Sequence, residues 1–336
     1  MTSQLFSPYR LGNLGLSNRI VVSPMCQYSS RDGCLQDWHL MHLGQFAVSG
    51  PGMIIIEMTN VQPGGRITPY CSGLYNQETE DAMKRVIDYV KGLADVPIAI
   101  QLAHAGRKAS SLRPWEGGGA LAVTRGGWET VAPSAISHAD DVPRPRALSS
   151  AEVEQLVHDF AAAAVRAERI GFDAIELHGA HGYLLHQFLS PLSNQREDGY
   201  GGSLENRMRF PLEVYRAVRD AWPEDKPLGM RISATDWIDG GWDLEQSLVL
   251  ARELQQRGCD FLDVSSGGLS SAQQLSPGPG YQVPFAERIR KETGMAVISV
   301  GLITDPLMAE DIISGGKADL VALARGFLYD PRWVWH

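Results

Sequence analysis

Two histidines and a tyrosine lie within six positions of one another near the middle of the chain, at His178, His181 and Tyr183. They follow an apolar segment, 173–177, that is typical of a buried strand. Polar side chains directly after such a strand are typical of the C-terminal mouth of a parallel barrel, where they converge on one cavity. Imidazole and phenol groups donate hydrogen bonds, so the three are candidate hydrogen-bond donors to a ligand in that cavity. The alternative is that they are structural core residues.

The same order, an apolar strand followed by polar residues, recurs along the chain. The predicted strands are a brief one within 18–23, then 53–58, 97–102, 173–177, 228–233, 261–265, 296–300 and 319–323. Helices are predicted between them at 37–49, 79–93, 150–170, 204–222, 244–257, 285–292 and 306–314. Eight strands with interleaved helices predict a (β/α)8 TIM barrel, in a single α/β domain over residues 1–336.

The alternation stops between residues 105 and 148. This segment is rich in Gly, Pro and Trp, and so long a loop is usually either a functional lid or disordered. Trp115 and Trp128 favour an ordered lid, inserted after the third strand. The alternation resumes with a helix for which Ser150 is the predicted N-cap.

The overall composition limits the function. A net charge of -9 and the lack of a basic run argue against a nucleic-acid partner. The four cysteines are far apart and form no C-x-x-C pair, which argues against a disulfide framework, a metal knuckle or an iron–sulfur cluster. The N-terminus does not resemble a signal peptide, and no segment reaches the ~18 apolar residues of a membrane span. We therefore expect a cytoplasmic protein without a membrane partner.

All eight strand ends of a parallel barrel share one face, so the residues predicted there can be pooled. The pool consists of Ser23 to Tyr28, Met58, Gln101, His104, His178, His181, Tyr183, Arg231, Gly301 and Arg325. Only Glu57 and Asp236 are nearby carboxylates, which poorly suits a hydrolase with paired carboxylates or a magnesium site. An electron-rich flat cofactor with an anionic tail suits the pool well.

The anionic tail has a predicted position at the last two strands. Loops after strands seven and eight of a barrel often bind phosphate, and here they carry Gly301 and the segment 324–327. The Arg325 guanidinium can bind phosphate with two hydrogen bonds. The alternative is that Gly301 only forms a turn and Arg325 is a surface charge. Because no G-x-G-x-x-G follows a strand, a mononucleotide is favoured over a Rossmann dinucleotide.

Two further residues could face a flat ring. Arg231 would place fixed positive charge beside the ring, and Gln101 offers the donor and the acceptor that a pyrimidine edge requires. Alternatively, Arg231 pairs with a carboxylate such as Asp263, and Gln101 caps a loop.

Four longer motifs stand at these positions: SPMCQY at 23–28, QLAHAGRK at 101–108, HGAHGYLLHQFLSP at 178–191 and YGGSLENR at 200–207. Together they resemble the old yellow enzyme family of FMN-dependent ene-reductases, and the resemblance covers nearly the whole chain. Cys26 with Tyr28 resembles the thermophilic-like subgroup, which includes xenobiotic reductases. The resemblance implies an oxidoreductase that binds FMN, takes hydride from NAD(P)H, more often NADPH, and reduces small-molecule activated alkenes such as enones and enals.

The resemblance also implies roles for individual residues. His178 and His181 would bind the carbonyl oxygen of the substrate, Tyr28 would border the substrate, and Tyr183 would protonate the α-carbon after hydride reaches the β-carbon. Cys26 would tune the flavin potential. The implied FMN contacts are Ser23, Pro24, Met25, Cys26, Met58, Gln101, Arg231, Gly301, Ala324 and Arg325. No metal is implied.

The sequence departs from the family pattern at two places. Ala324 stands where many relatives have glycine, which leaves its backbone N–H in place. The sequence ends at 333–336 without the tail arginine that can reach a neighbouring subunit in this subgroup, so a shared active site is not expected and a homo-oligomer stays open.

Two other functions stay open. One is a metal-dependent barrel lyase or hydrolase with His178, His181 and His104 as ligands. The other is a flavin-binding protein without turnover.

Overall fold

The computed structural model describes residues 3–336, in which eight parallel strands form a closed barrel. The barrel strands are β1 (Ile20–Val22), β2 (Met53–Asn60), β3 (Ile98–Ala103), β4 (Ala174–Gly179), β5 (Leu228–Ser233), β6 (Phe261–Ser265), β7 (Ala296–Ser299) and β8 (Leu320–Leu323). Each strand pairs with the next along the chain, and β8 pairs with β1. The predicted TIM barrel is confirmed.

Helices connect these strands on the outside. They are α1 (Asp37–Ala47), α2 (Gln77–Leu93), α3 (Ser150–Ile170), α4 (Leu184–Leu189), α5 (Leu204–Ala221), α6 (Leu244–Gln256), α7 (Val283–Thr293), α8 (Pro306–Ser314) and α9 (Arg325–Tyr329). The N-cap of α3 is Ser149 and not Ser150, because the Ser149 side chain and Glu152 form a reciprocal capping box. None of the helices within 3–336 combines the length and the apolar character that a membrane span requires.

The barrel interior changes from apolar at one end to polar at the other. An antiparallel hairpin, Tyr9–Leu11 with Leu14–Leu16, precedes β1, and its Leu11 and Leu16 pack with Val21, Ile55 and Phe261. Alternate residues of a strand point to the same side, so β4 presents Ala174, Glu176 and His178 in turn to the interior. The same alternation on β6 runs from Phe261 through Asp263 to Ser265. Titratable groups therefore collect at the C-terminal ends of the strands.

The long segment after β3 is ordered by local hydrogen bonds. It contains the 3-10 turns Gly106–Lys108, Pro114–Glu116 and Val123–Arg125, and a short parallel pair, Val131–Ala132 with Arg146–Ala147. The Trp128 indole donates a hydrogen bond to the Gly64 carbonyl at 2.9 Å, which ties the segment to the loop after β2. Its function as a lid stays a prediction.

Candidate active site

The two histidines and the tyrosine singled out in the sequence come together at the end of β4, as predicted. The His178 ring lies edge to face against both neighbours, with ring centroids 5.0 Å from His181 and 4.9 Å from Tyr183. His178 belongs to β4 itself, whereas His181 and Tyr183 lie in the turn before α4. We call these three residues the histidine cluster.

The tautomer of His178 follows from its hydrogen bond to the backbone. The Ala180 N–H donates to His178 Nδ1 at 3.3 Å, so the ring proton is on Nε2. Burial, and then the charge of Arg231, lower the pKa of His178 well below its ordinary value, so the ring is neutral. Since Nε2 makes no hydrogen bond within residues 3–336, it offers an N–H donor to a ligand.

His181 is held from two sides. Its backbone N–H donates to Ser233 Oγ at 2.9 Å, and its Nε2 lies 2.8 Å from Ser265 Oγ. Its φ is +58°, and the following Gly182 has a φ of +72° and lies so close to Gly268 O that a Cβ would come within 2.2 Å of it. The turn therefore requires glycine at 182. Burial and Arg231 lower the pKa of His181 in the same way as that of His178.

Tyr183 belongs to an apolar patch that contains several predicted site residues. Cys26, Tyr28 and Tyr183 pack against a buried cluster that includes Met58. Burial, and then the nearby Cys26, raise the pKa of Tyr183 well above its ordinary value, and burial also raises the pKa of Cys26. Both groups are therefore protonated at neutral pH.

The segment after β3 reaches this patch through an aromatic contact. Trp115 lies edge to face against Tyr28 with ring centroids 5.8 Å apart, although 64% of Trp115 is exposed. The Arg113 guanidinium stacks over Trp115 at 5.3 Å and over Tyr70 at 4.0 Å. Tyr28 thus lies between the patch and the segment that we predict to be a lid.

A cavity opens at the ends of β7 and β8, and we call it the anion cavity. Six of its lining residues are Arg231, Ser265, Gln282, Gly301, Ala324 and Arg325. The backbone N–H groups of Gly301 and Arg325 make no hydrogen bond within residues 3–336. Gly301 has a φ of +125°, and a Cβ there would lie 2.9 Å from Gln282 Nε2. Free N–H donors beside two guanidinium groups suit a phosphate.

Arg231 connects the anion cavity with β1 and the barrel interior. Its Nη1 donates to Ser23 Oγ at 3.2 Å, and its Nε lies 3.4 Å from the buried Asp263 carboxylate. The alternative pairing with Asp263 is therefore present, while the residue also lines the anion cavity. Arg325 is exposed and forms no ion pair within residues 3–336, so its charge is available to a ligand.

Comparison with known proteins identifies the family. The NADH:flavin oxidoreductase / NADH oxidase family model matches residues 4–336. The chain belongs to this family. It is 44% identical to an NADPH dehydrogenase of a Geobacillus species over 335 residues, covering 99% of this chain and 93% of that protein. The NADPH dehydrogenase of Bacillus subtilis is 43% identical over 333 residues, covering 98% and 93%.

A solved structure of morphinone reductase superposes with a TM-score of 0.81 at 31% identity, covering 98% of this chain and 87% of that one. These similarities confirm the old yellow enzyme family and an FMN-dependent NAD(P)H oxidoreductase. The anion cavity and the neighbouring polar groups fit FMN, because they offer unpaired N–H donors and guanidinium charge to its phosphate.

This old yellow enzyme contains an interior carboxylate, Glu176, for which the sequence suggested no role. Gln101 Nε2 donates to Glu176 Oε1 at 2.7 Å, so Gln101 does not cap a loop. Burial raises the pKa of Glu176 well above its ordinary value, and then the adjacent Asp263 raises it further. We infer that Glu176 is protonated beside the ionised Asp263, which pairs with Arg231. Alternate residues of a strand point to the same side, so counting back two positions from His178 could have identified Glu176.

Lys108 is a second residue for which the sequence suggested no role, although it belongs to the motif at 101–108. Its Nζ donates to His181 O and Gly268 O, each at 2.9 Å, and lies 5.3 Å from the Tyr183 ring centroid. Burial, and then Arg107, lower the pKa of Lys108 to about 8. The ammonium thus fixes the backbone beneath the histidine cluster.

The remaining predicted residues make no hydrogen bond with the side chains of the histidine cluster within residues 3–336. Pro24 and Met25 are half-buried in the turn after β1, and the Met25 side chain packs against the core. His104 is buried, and its Nδ1 accepts a hydrogen bond from the Gly106 N–H at 3.0 Å. Within residues 3–336, no three His, Cys, Asp or Glu side chains are grouped so that they could hold a metal ion.

Proposed function

We propose that the chain is an ene-reductase: a single-domain enzyme that uses NADPH to reduce FMN and then reduces the activated double bond of an enone, an enal or a similar alkene. The observation that carries this proposal is the histidine cluster, in which two neutral imidazoles and one protonated phenol meet at the barrel mouth. The names of the Geobacillus and Bacillus relatives favour NADPH as the reductant.

FMN would be held between β1 and the anion cavity. Gly301, Ala324 and Arg325 would bind its phosphate, whereas Arg231 and Gln101 would face the ring, with Ser23, Pro24, Met25, Cys26 and Met58 completing the contacts. When bound, FMN supplies the hydride chemistry. The protein supplies position and charge: Arg231 is tied to Ser23 at 3.2 Å, which fixes a positive charge beside the proposed ring position.

His178 and His181 would act on the carbonyl oxygen of the alkene. Negative charge builds on that oxygen when a hydride adds to the β-carbon, and two N–H donors aimed at it stabilise the charge as an oxyanion hole. Burial keeps both rings neutral, so each has one N–H donor and one acceptor nitrogen. The backbone of the turn, fixed by Lys108 and Ser233, holds the rings in place before substrate arrives.

Tyr183 would donate the proton that completes the reduction. The phenol O–H bond breaks, a C–H bond forms at the α-carbon, and the phenolate regains its proton from water. The raised pKa of Tyr183 keeps the phenol protonated until it reacts, and the Lys108 ammonium over its ring stabilises the phenolate that forms. Tyr28, which lies edge to face against Trp115, would also border the alkene.

The proposal is tested by following the flavin absorbance under anaerobic conditions. NADPH should bleach the bound flavin, and cyclohexenone should then restore its colour with formation of cyclohexanone. Bleaching without reoxidation by any enone or enal would contradict the ene-reductase function. A flavin that NADPH does not bleach would indicate a binding protein without turnover.

A further inference from the structure

His181 and His178 differ in how their protons are placed. The tautomer of His178 follows from a backbone N–H, which can only donate. His181 instead contacts Ser265 Oγ through Nε2 at 2.8 Å, and a hydroxyl can either donate or accept. The direction of this hydrogen bond decides whether His181 Nδ1 carries the proton that an oxyanion hole needs.

The groups behind Ser265 determine that direction. Gln282 Nε2 donates to the Val300 carbonyl at 3.0 Å, so the amide is oriented with Oε1 toward the two serines. Ser266 Oγ donates to Gln282 Oε1 at 2.7 Å, whereas Ser265 Oγ lies 3.3 Å from the same oxygen. Gln282 Oε1 can accept two hydrogen bonds, but its 3.3 Å distance from Ser265 Oγ is longer than the 2.8 Å between Ser265 Oγ and His181 Nε2. The Ser265 proton is therefore better placed on His181 Nε2.

We propose that Ser265 is a positioning residue that donates its hydroxyl proton to His181 Nε2 and thereby fixes the tautomer with the proton on Nδ1. His181 Nδ1 makes no hydrogen bond within residues 3–336, so its N–H is available to a ligand oxygen. Ser265 and Gln282 are buried, with 4% and 2% exposed, so water does not compete for these bonds. The role of this N–H in reduction rests on the proposed function.

The same hydrogen-bonded side chains also connect the histidine cluster with the anion cavity. Ser265 and Gln282 both line that cavity, and the Gln282 amide is anchored to Val300, next to Gly301. The structure thus provides a path of three side chains between the two sides of the barrel mouth.

The test is to read the histidine tautomers of the oxidised holoenzyme by long-range 1H–15N NMR with 15N-histidine labelling. The His181 signal is assigned with His181→Asn. In the wild type and in Ser265→Thr, which keeps the hydroxyl, His181 should be protonated on Nδ1. In Ser265→Ala the signal should shift to a mixture of tautomers. His178 serves as an internal control and should stay protonated on Nε2 in every variant.

Kinetics provide the second measurement. Because loss of an entire oxyanion donor slows such a step by about 100-fold or more, partial loss of the donating tautomer in Ser265→Ala should lower kcat/KM for cyclohexenone by about tenfold, with recovery in Ser265→Thr. An Nε2–H tautomer in the wild type, or an unchanged His181 signal in Ser265→Ala, would overturn the proposal. If His181→Ala, which removes the donor, reduces cyclohexenone as fast as the wild type, the proposed function fails instead, whatever the tautomer.

Discussion

The histidine cluster and the anion cavity lie at the same barrel mouth but are built from different parts of the chain. The cluster consists of side chains whose chemistry depends on where protons lie: two neutral imidazoles and a protonated phenol. The anion cavity depends on backbone, since free N–H groups and the conformation of Gly301 shape it. Substitutions in the cluster should therefore change a reaction step, and substitutions in the cavity should change cofactor affinity.

The largest expected effect is on proton transfer in the cluster. Tyr183→Phe removes the phenol proton but keeps the ring that packs against His178 and the apolar patch. We expect alkene reduction to slow by roughly 100- to 10,000-fold, the usual contribution of a general acid. Flavin reduction by NADPH needs no such proton and should change little. Stopped-flow measurement of the two half-reactions separates them, and equal slowing of both would contradict the acid role.

His178→Ala tests the oxyanion hole and should be the next largest effect. A donor lost from such a site typically raises the barrier by ~2.7–4 kcal/mol, so reoxidation of reduced flavin by cyclohexenone should slow by about 100- to 1000-fold. FMN affinity should stay unchanged, because His178 does not line the anion cavity.

A matched control for this experiment is His104→Asn. His104 is equally buried at the end of β3, but its Nδ1 accepts from the Gly106 backbone, and Asn Oδ1 can replace that acceptor. Reduction of cyclohexenone should be retained in this variant. A loss as large as that of His178→Ala would show that the effect comes from disturbed packing at the barrel mouth.

Burial of neutral histidines should also make the fold sensitive to acid. The pKa of His104 is lowered from 6.5 to about 4, so between these values the unfolded chain binds a proton that the folded chain does not. Stability should therefore fall as pH decreases from about 6.5 to about 4, by roughly 3 kcal/mol for this group, and change no further below its folded pKa.

The contribution of His104 can be isolated by comparing urea unfolding of the wild type and His104→Asn, both saturated with FMN. The other buried histidines contribute equally to both proteins and cancel. Between about pH 7.5 and about pH 5, the wild type should lose roughly 2 kcal/mol more unfolding free energy than the variant. Parallel losses in the two proteins would show that His104 is charged in the folded state.

The barrel and the histidine cluster could be predicted because their signals are local. Apolar runs such as 53–58 indicate strands by themselves, and His178, His181 and Tyr183 lie within one turn of the chain. The strand ends also indicated the candidate residues on the other strands, and the family motifs implied their roles. The hairpin before β1 was missed because its two strands are only three residues long.

Other features depend on contacts between distant strands. Glu176 and Asp263 lie within buried strands, and such strands show no alternation that would reveal which side chains face the interior. His181 and Ser265 are 84 positions apart in sequence, so no local pattern predicts their contact. Only the barrel register places β4 and β6 on either side of β5 and brings these side chains together.

The smallest expected effect is on the anion cavity, and measuring it would sharpen the contrast with the histidine cluster. Gly301→Ala introduces a Cβ at a φ of +125°, 2.9 Å from Gln282 Nε2, so the loop after β7 or the Gln282 side chain must shift. A non-glycine residue in such a conformation costs about 1–3 kcal/mol, and if the shifted loop loses its phosphate contacts, FMN should bind about tenfold more weakly. Titration of the apoprotein with FMN, followed by flavin fluorescence, measures this change.

The control for Gly301→Ala is Gly294→Ala at the end of α7. There φ is +71°, but no atom lies within 4 Å of the added Cβ. It introduces comparable backbone strain away from the anion cavity, so it should lower the unfolding free energy without changing FMN affinity. If both variants weaken FMN binding equally, global destabilisation is the cause and the cavity is not the phosphate site. If only Gly301→Ala does so, the two sides of the mouth are separable: backbone conformation sets cofactor affinity, and the protonation of side chains sets the reaction.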